Sequence, residues 1–82
     1  MKQIRFGPGV PAEIRAIPRE DALAILRALH RYGEMGEGNV KALTGDLKGL
    51  LRLRVGNYRL LFDETETSIQ VHRVADRKDA YR

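Results

Sequence analysis

Hydrophobic residues recur at two different spacings along this chain, and the spacing changes near its middle. Residues 2–6 (KQIRF) place Ile4 and Phe6 two apart, the spacing of a short strand, and Gly7-Pro8-Gly9 ends it. Val10, Ile14 and Ile17 then recur at i, i+4 and i+7, with Pro11 suited to a first helical turn, which predicts a short helix. Pro18 breaks that helix and begins a second over 18–32. There Ala22, Ile25, Leu26 and Leu29 form one apolar stripe, while Arg19, Glu20, Arg27 and Arg31 lie mostly opposite. Gly33, Gly36 and Gly38 are expected to stop it, and residues 33–49 read as a loop with a further turn around 40–43.

The second half reads as β-structure. Residues 50–63 (LLRLRVGNYRLLFD) hold two alternating runs joined by Gly56-Asn57, a two-residue linkage suited to a tight hairpin. Residues 64–67 turn the chain, and 68–74 (SIQVHRV) alternate as a last strand. The order β-α-α-β-β-β predicts an α+β fold, with two N-terminal helices packed on one face of a small, mainly antiparallel four-stranded sheet. A chain of 82 residues buries only about 60–65% of the surface its unfolded form exposes, so 1–82 is expected to be a single domain with one core.

Counting outward from Gly56-Asn57 pairs Val55 with Tyr58, Arg54 with Arg59, Leu53 with Leu60, Arg52 with Leu61 and Leu51 with Phe62. Directly opposed residues share a side of the sheet. One side (Leu51, Leu53, Val55, Tyr58, Leu60, Phe62) is the expected core face; the other carries Arg52, Arg54 and Arg59 with Leu61. Arg54 opposite Arg59 sets like charges side by side, which lowers stability. Removing either arginine is therefore expected to leave folding stability unchanged or slightly raised.

Overall charge adds little, with 15 Lys+Arg against 11 Asp+Glu, but residues 45–62 hold Lys48, Arg52, Arg54 and Arg59 against Asp46 alone. Asp63, Glu64 and Glu66 fall in the turn that follows. A cationic sheet face fits either an anion held by several contacts, best the phosphates of a nucleic acid, or a solvated surface of snorkelling arginines. Arg77 and Lys78 extend it, and Tyr81 offers a phenol that can stack on a base or exchange a proton. His72 joins this face, together with Ser68, Gln70 and Val74, if Ile69 and Val71 point to the helices, and a bulge would reverse that.

Cysteine is absent, which excludes disulfide scaffolds and thiol catalysis. His30 and His72 make no metal signature, so neither metal nor cofactor is expected. No apolar run approaches a membrane span and the N-terminus shows no signal-peptide segment, so a cytoplasmic protein without membrane contact is expected.

The hairpin Arg52-Leu53-Arg54-Val55-Gly56-Asn57-Tyr58-Arg59 and the terminal Arg77-Lys78-Asp79-Ala80-Tyr81-Arg82, in that order, resemble the RelE/ParE superfamily of toxins from type II toxin–antitoxin modules. The resemblance covers the C-terminal half; the N-terminal half agrees in layout and helix pattern. In the RelE branch it implies an mRNA interferase, a ribosome-dependent endoribonuclease that cuts messenger RNA in the A site through metal-independent attack of the 2′-hydroxyl on the adjacent phosphate. Carried over by position, Arg52, Arg54, Arg59 and Arg77 would hold and charge-stabilise the phosphate, and Tyr81 or a neighbour would handle the hydroxyl proton. Lys48, His72 and Lys78 are candidate RNA contacts around them. A phenol near pKa 10 is a poor base unless nearby cations depress it.

The resemblance also implies partners: the ribosome and its message, and a small acidic antitoxin that masks the Arg52/Arg54/Arg59 side, with a monomeric toxin inside a heteromeric complex. Asp76 departs from the pattern, since many relatives have histidine directly before the terminal Arg-Lys. The sequence is also expected to lack the C-terminal helix that some members add. Two other readings stand beside this one. ParE-type relatives share the fold, inhibit DNA gyrase and cut no RNA; a degenerate toxin would act only through antitoxin binding.

Overall fold

The computed structural model describes residues 1–80 and confirms an α+β chain. Its elements run β1 (Gln3–Phe6), α1 (Val10–Arg15), α2 (Arg19–Met35), β2 (Asn39–Ala42), a 3-10 turn (Gly45–Leu47), β3 (Leu51–Val55), β4 (Tyr58–Glu64) and β5 (Ser68–Asp76). The strands form one sheet in the order β1-β5-β4-β3-β2. β1 lies parallel to β5, and every other neighbouring pair is antiparallel. Among the described residues no helix is long and apolar enough to cross a membrane.

The sheet has five strands, not the four expected. Asn39–Ala42, read from sequence as loop, pairs with β3 from Asn39 opposite Arg54 to Ala42 opposite Leu51. Its four residues hold one sizeable apolar side chain, Val40, too few for alternation to reveal. Pairing with β3 holds this strand in place, and Val40 packs against the core.

The helices also differ in detail. Gly33 does not stop α2; it lies inside, buried, where a Cβ would meet Ile69 Cδ1 at 3.4 Å and where the carbonyl accepts Lys2 N–H at 3.2 Å. The helix ends at Gly36, whose φ of 71° is the left-handed cap that favours glycine. The buried line is Ile25, Leu29 and Gly33, at i, i+4 and i+8, whereas Leu26 is 39% exposed. With Val10, these side chains cover Leu53, Leu60, Phe62, Ile69, Val71 and Val74. Each such fully buried Leu, Ile, Val or Phe contributes roughly 1.5–3 kcal/mol.

The hairpin has the register counted from the sequence, residue for residue, from Val55 opposite Tyr58 to Leu51 opposite Phe62. Gly56, at the first loop position, has φ +58°, and Asn57 does not share the positive φ. That combination suits a type II′ turn.

β5 carries a bulge. Leu61 faces Arg73 and Phe62 faces Val71, which leaves His72 as the extra residue. Ile69, Val71 and Val74 therefore all face the helices, at 0%, 0% and 2% exposure, although 69 and 74 differ by an odd number. Val74 does not lie on the side of His72 as expected; Arg73 takes its place there, opposite Leu61. Glu13 of α1 closes the strand edge at this point, its Oε1 accepting Val74 N–H at 3.0 Å.

Candidate nucleic-acid interface

Strand pairing builds the face away from the helices as rows crossing the sheet. Nearest the hairpin tip, Asn39, Arg54, Arg59 and Ala75 stand in register on β2, β3, β4 and β5. The next row is Lys41, Arg52, Leu61 and Arg73. A third holds Asp63, Gln70 and Arg5. The first two rows thus set cations of separate strands side by side, and the expected concentration of Arg52, Arg54 and Arg59 on one face is present.

Their environments differ. Arg59 is only 9% exposed, and its Nη1 donates to Gly56 O at 3.2 Å and Tyr58 O at 3.0 Å. A guanidinium removed from water requires acceptors, and two carbonyls of its own hairpin supply them without neutralising the charge. Arg54, directly opposite, is exposed, and its side chain has no hydrogen bond or ion pair among the described residues. Arg52 donates Nη2–H to Asn39 Oδ1 at 3.1 Å, while its Nε is out of water without an acceptor. Leu61, at 5%, is buried on this side, outside the helix-side core cluster.

The chain after β5 returns to the hairpin. Arg77 N–H donates to Asn57 O at 2.8 Å, and Ala80 is buried at 1%. Arg77 and Lys78 are exposed beside the hairpin loop, so the terminal motif and the Arg54/Arg59 row meet at one end of the sheet. Tyr81 lies outside the described residues.

Asp76 does not sit among these arginines. It stands opposite Tyr58, on the helix side of the sheet, and its Oδ1 accepts Lys78 N–H at 3.0 Å to tighten the terminal turn. The Tyr58 phenol is pushed up by burial first, and then by Asp21 and Asp76.

Two sequence candidates fall elsewhere. Lys48 follows the 3-10 turn at the end of β3 far from the hairpin tip, outside the rows. His72 is exposed on the cationic side but bonded to Asp63 Oδ2 at 2.6 Å. Sequence reasoning missed Lys41, because β2 was read as loop, and Arg73, because the bulge shifts its side. Arg73 is also engaged by Glu13, Nε to Oε2 at 3.7 Å. Among the described residues no group of three His, Cys, Asp or Glu side chains converges as a metal site.

A groove of about 580 Å³ adjoins the first row, between α2 and β3. Ala24, Ala28, Leu53 and Val55 form its apolar lining, and Arg27, Arg31, Arg54 and Glu37 its charged rim, with Arg31 paired to Glu37 at 3.3 Å.

No protein-family profile matches the chain, and no curated protein matches it. Solved structures do. The fold is that of the RelBE2 toxin–antitoxin complex of Mycobacterium tuberculosis, at TM-score 0.80 and 23% identity over 92% of this chain and 96% of that one. The RelB–RelE antitoxin–toxin complex of Methanococcus jannaschii gives 0.75 and 21% over 94% of each chain. YafQ of E. coli gives 0.80 and 10% over the full length of both. The chain therefore has the fold of RelE-like toxins, in agreement with the resemblance read from its two motifs.

Proposed function

We propose that the protein is the toxin of a type II toxin–antitoxin module and acts as an mRNA interferase, cutting ribosome-bound message. The observation that carries this reading is that Arg54 and Arg59 pair across the hairpin, beside the loop on which the Arg77 backbone docks, with no carboxylate in ion-pair contact with the three among the described residues. Three cations left unneutralised on an otherwise folded surface suit a phosphate whose charge grows in the transition state.

Arg59, fixed by two carbonyls, supplies a charge that needs no reorganisation; Arg54 and Arg77, exposed, close on the phosphate. The 2′-oxygen attacks phosphorus, the bond to the 5′-oxygen breaks, and a 2′,3′-cyclic phosphate and a 5′-hydroxyl result. The proton leaving the 2′-hydroxyl is assigned to Tyr81 and passes on to the 5′-oxygen. The partner is an acidic antitoxin, to which the groove beside α2 offers an apolar lining with Arg27 and Arg54 at its rim; a further segment of it masks the Arg52/Arg54/Arg59 face.

The test is a purified translation system with primer extension on the message, run beside a gyrase supercoiling assay. Breaks within the ribosome-bound message, with 2′,3′-cyclic phosphate ends and no loss of supercoiling, are expected, and they persist when EDTA is added at controlled magnesium. Inhibited supercoiling with intact message moves the gyrase-directed reading ahead.

A further inference from the structure

The second row poses a problem that the first does not solve. Arg52 has one hydrogen bond, to Asn39 Oδ1, and its Nε is buried with no acceptor. A buried charged donor without an acceptor is destabilising unless a ligand completes it. Directly opposite, on edge strand β2, Lys41 is exposed, and its side chain has neither hydrogen bond nor ion pair among the described residues. Asn39 belongs to the row above, so its bond draws the Arg52 guanidinium diagonally toward the β2 edge.

We propose that Lys41 and Arg52, with Asn39 as the positioning residue, form a second phosphate subsite, which takes a phosphate adjacent to the one held by Arg54, Arg59 and Arg77. The proposal rests on the ribonuclease reading above. Rows two residues apart on a strand are separated by about 6.6–6.8 Å, comparable with one nucleotide step of an extended single strand. Lys41 also lies two strands from Arg59, about 9.5 Å sideways, so the two cations address different phosphates. The subsite carries the RNA from the hairpin tip across β3 to the sheet edge. Base identity plays no part in it, since only charge and hydrogen-bond donors are presented.

The experiment measures single-turnover cleavage of a short synthetic message bound to the ribosome, as a function of protein concentration. Lys41→Ala should raise the half-saturating concentration about three- to tenfold, more than it lowers the maximal rate, as expected for a lost charged phosphate contact. Lys41→Arg should restore it. On messages carrying an uncharged methylphosphonate one nucleotide to either side of the cut, one of the two positions should abolish the difference between Lys41→Ala and the unmodified protein.

Asn39→Ala should shift the half-saturating concentration the same way, since Arg52 then loses its anchor. Equal half-saturating concentrations for Lys41→Ala and the unmodified protein, or an undiminished difference on both modified messages, would overturn the subsite. Arg54→Ala serves as the control for the underlying reading: if it cuts at full rate, the ribonuclease site itself is misplaced, whatever Lys41 does.

Discussion

Arg54 and Arg59 face each other across the hairpin, yet only one is integrated into the fold. From the sequence both substitutions are expected to leave stability unchanged or raised, because like charges are separated. Burial of Arg59 against Gly56 O and Tyr58 O distinguishes them. Arg59→Ala leaves two carbonyls without their donor and removes a packed stem, so it should lower stability by about 1–2 kcal/mol in urea denaturation. Arg54→Ala should lie within about 0.5 kcal/mol of the parent, or above it. Equal effects would mean that Arg59 is not held by its hairpin. Asp76 shows the same point: its type was legible, but its side of the sheet follows from pairing with Tyr58.

At the scale of elements, β4 ends in Glu64, which ties together α2 and the residue that precedes β1. Its Oε2 accepts from Lys2 Nζ at 2.7 Å and its Oε1 from the Tyr32 hydroxyl at 2.6 Å, and the Tyr32 ring meets Phe62 edge to face at 5.4 Å. Burial alone would raise the Glu64 carboxyl, but the hydrogen bonds from Lys2 and Tyr32, with the Lys2 charge, hold it below its ordinary 4.5. Tyr32 is pushed up to about 12 by burial first and by Glu64 after it. A lowered carboxyl stabilises the fold above its unfolded value and loses that contribution as pH falls through the folded one. Glu64→Gln should therefore melt lower than the parent at pH 7, with the gap closing as pH drops below 4.5. The raised phenol works in the other direction: its contribution is whole below 10 and lost as pH rises toward 12. Absorbance titration should show a tyrosine ionising near 12 that is missing in Tyr32→Phe; a titration unchanged by that substitution would contradict the network. In sequence Glu64 reads only as an acid in a turn, because the partners 62 and 32 positions away are set by the fold.

For the whole molecule, what was legible depended on local rules. The hairpin, its register and its two faces follow from alternation and one glycine, and the hairpin and terminal motifs led to the fold that solved toxins share. β2 and the β5 bulge were not legible, because one is held by its neighbour and the other breaks the alternation used to read it. Those two features bring Lys41 and Arg73 to the cationic face. The central claim is that this face holds RNA phosphate during cleavage. The most direct test is the cutting rate of ribosome-bound message by Arg54→Ala, whose fold should be intact. A charged hydrogen bond to phosphate is worth about 1.5–3 kcal/mol, so the rate should fall roughly ten- to hundredfold with the cleavage position unchanged. Cutting at the parent rate would contradict the claim and return the arginines to the status of a solvated sheet face.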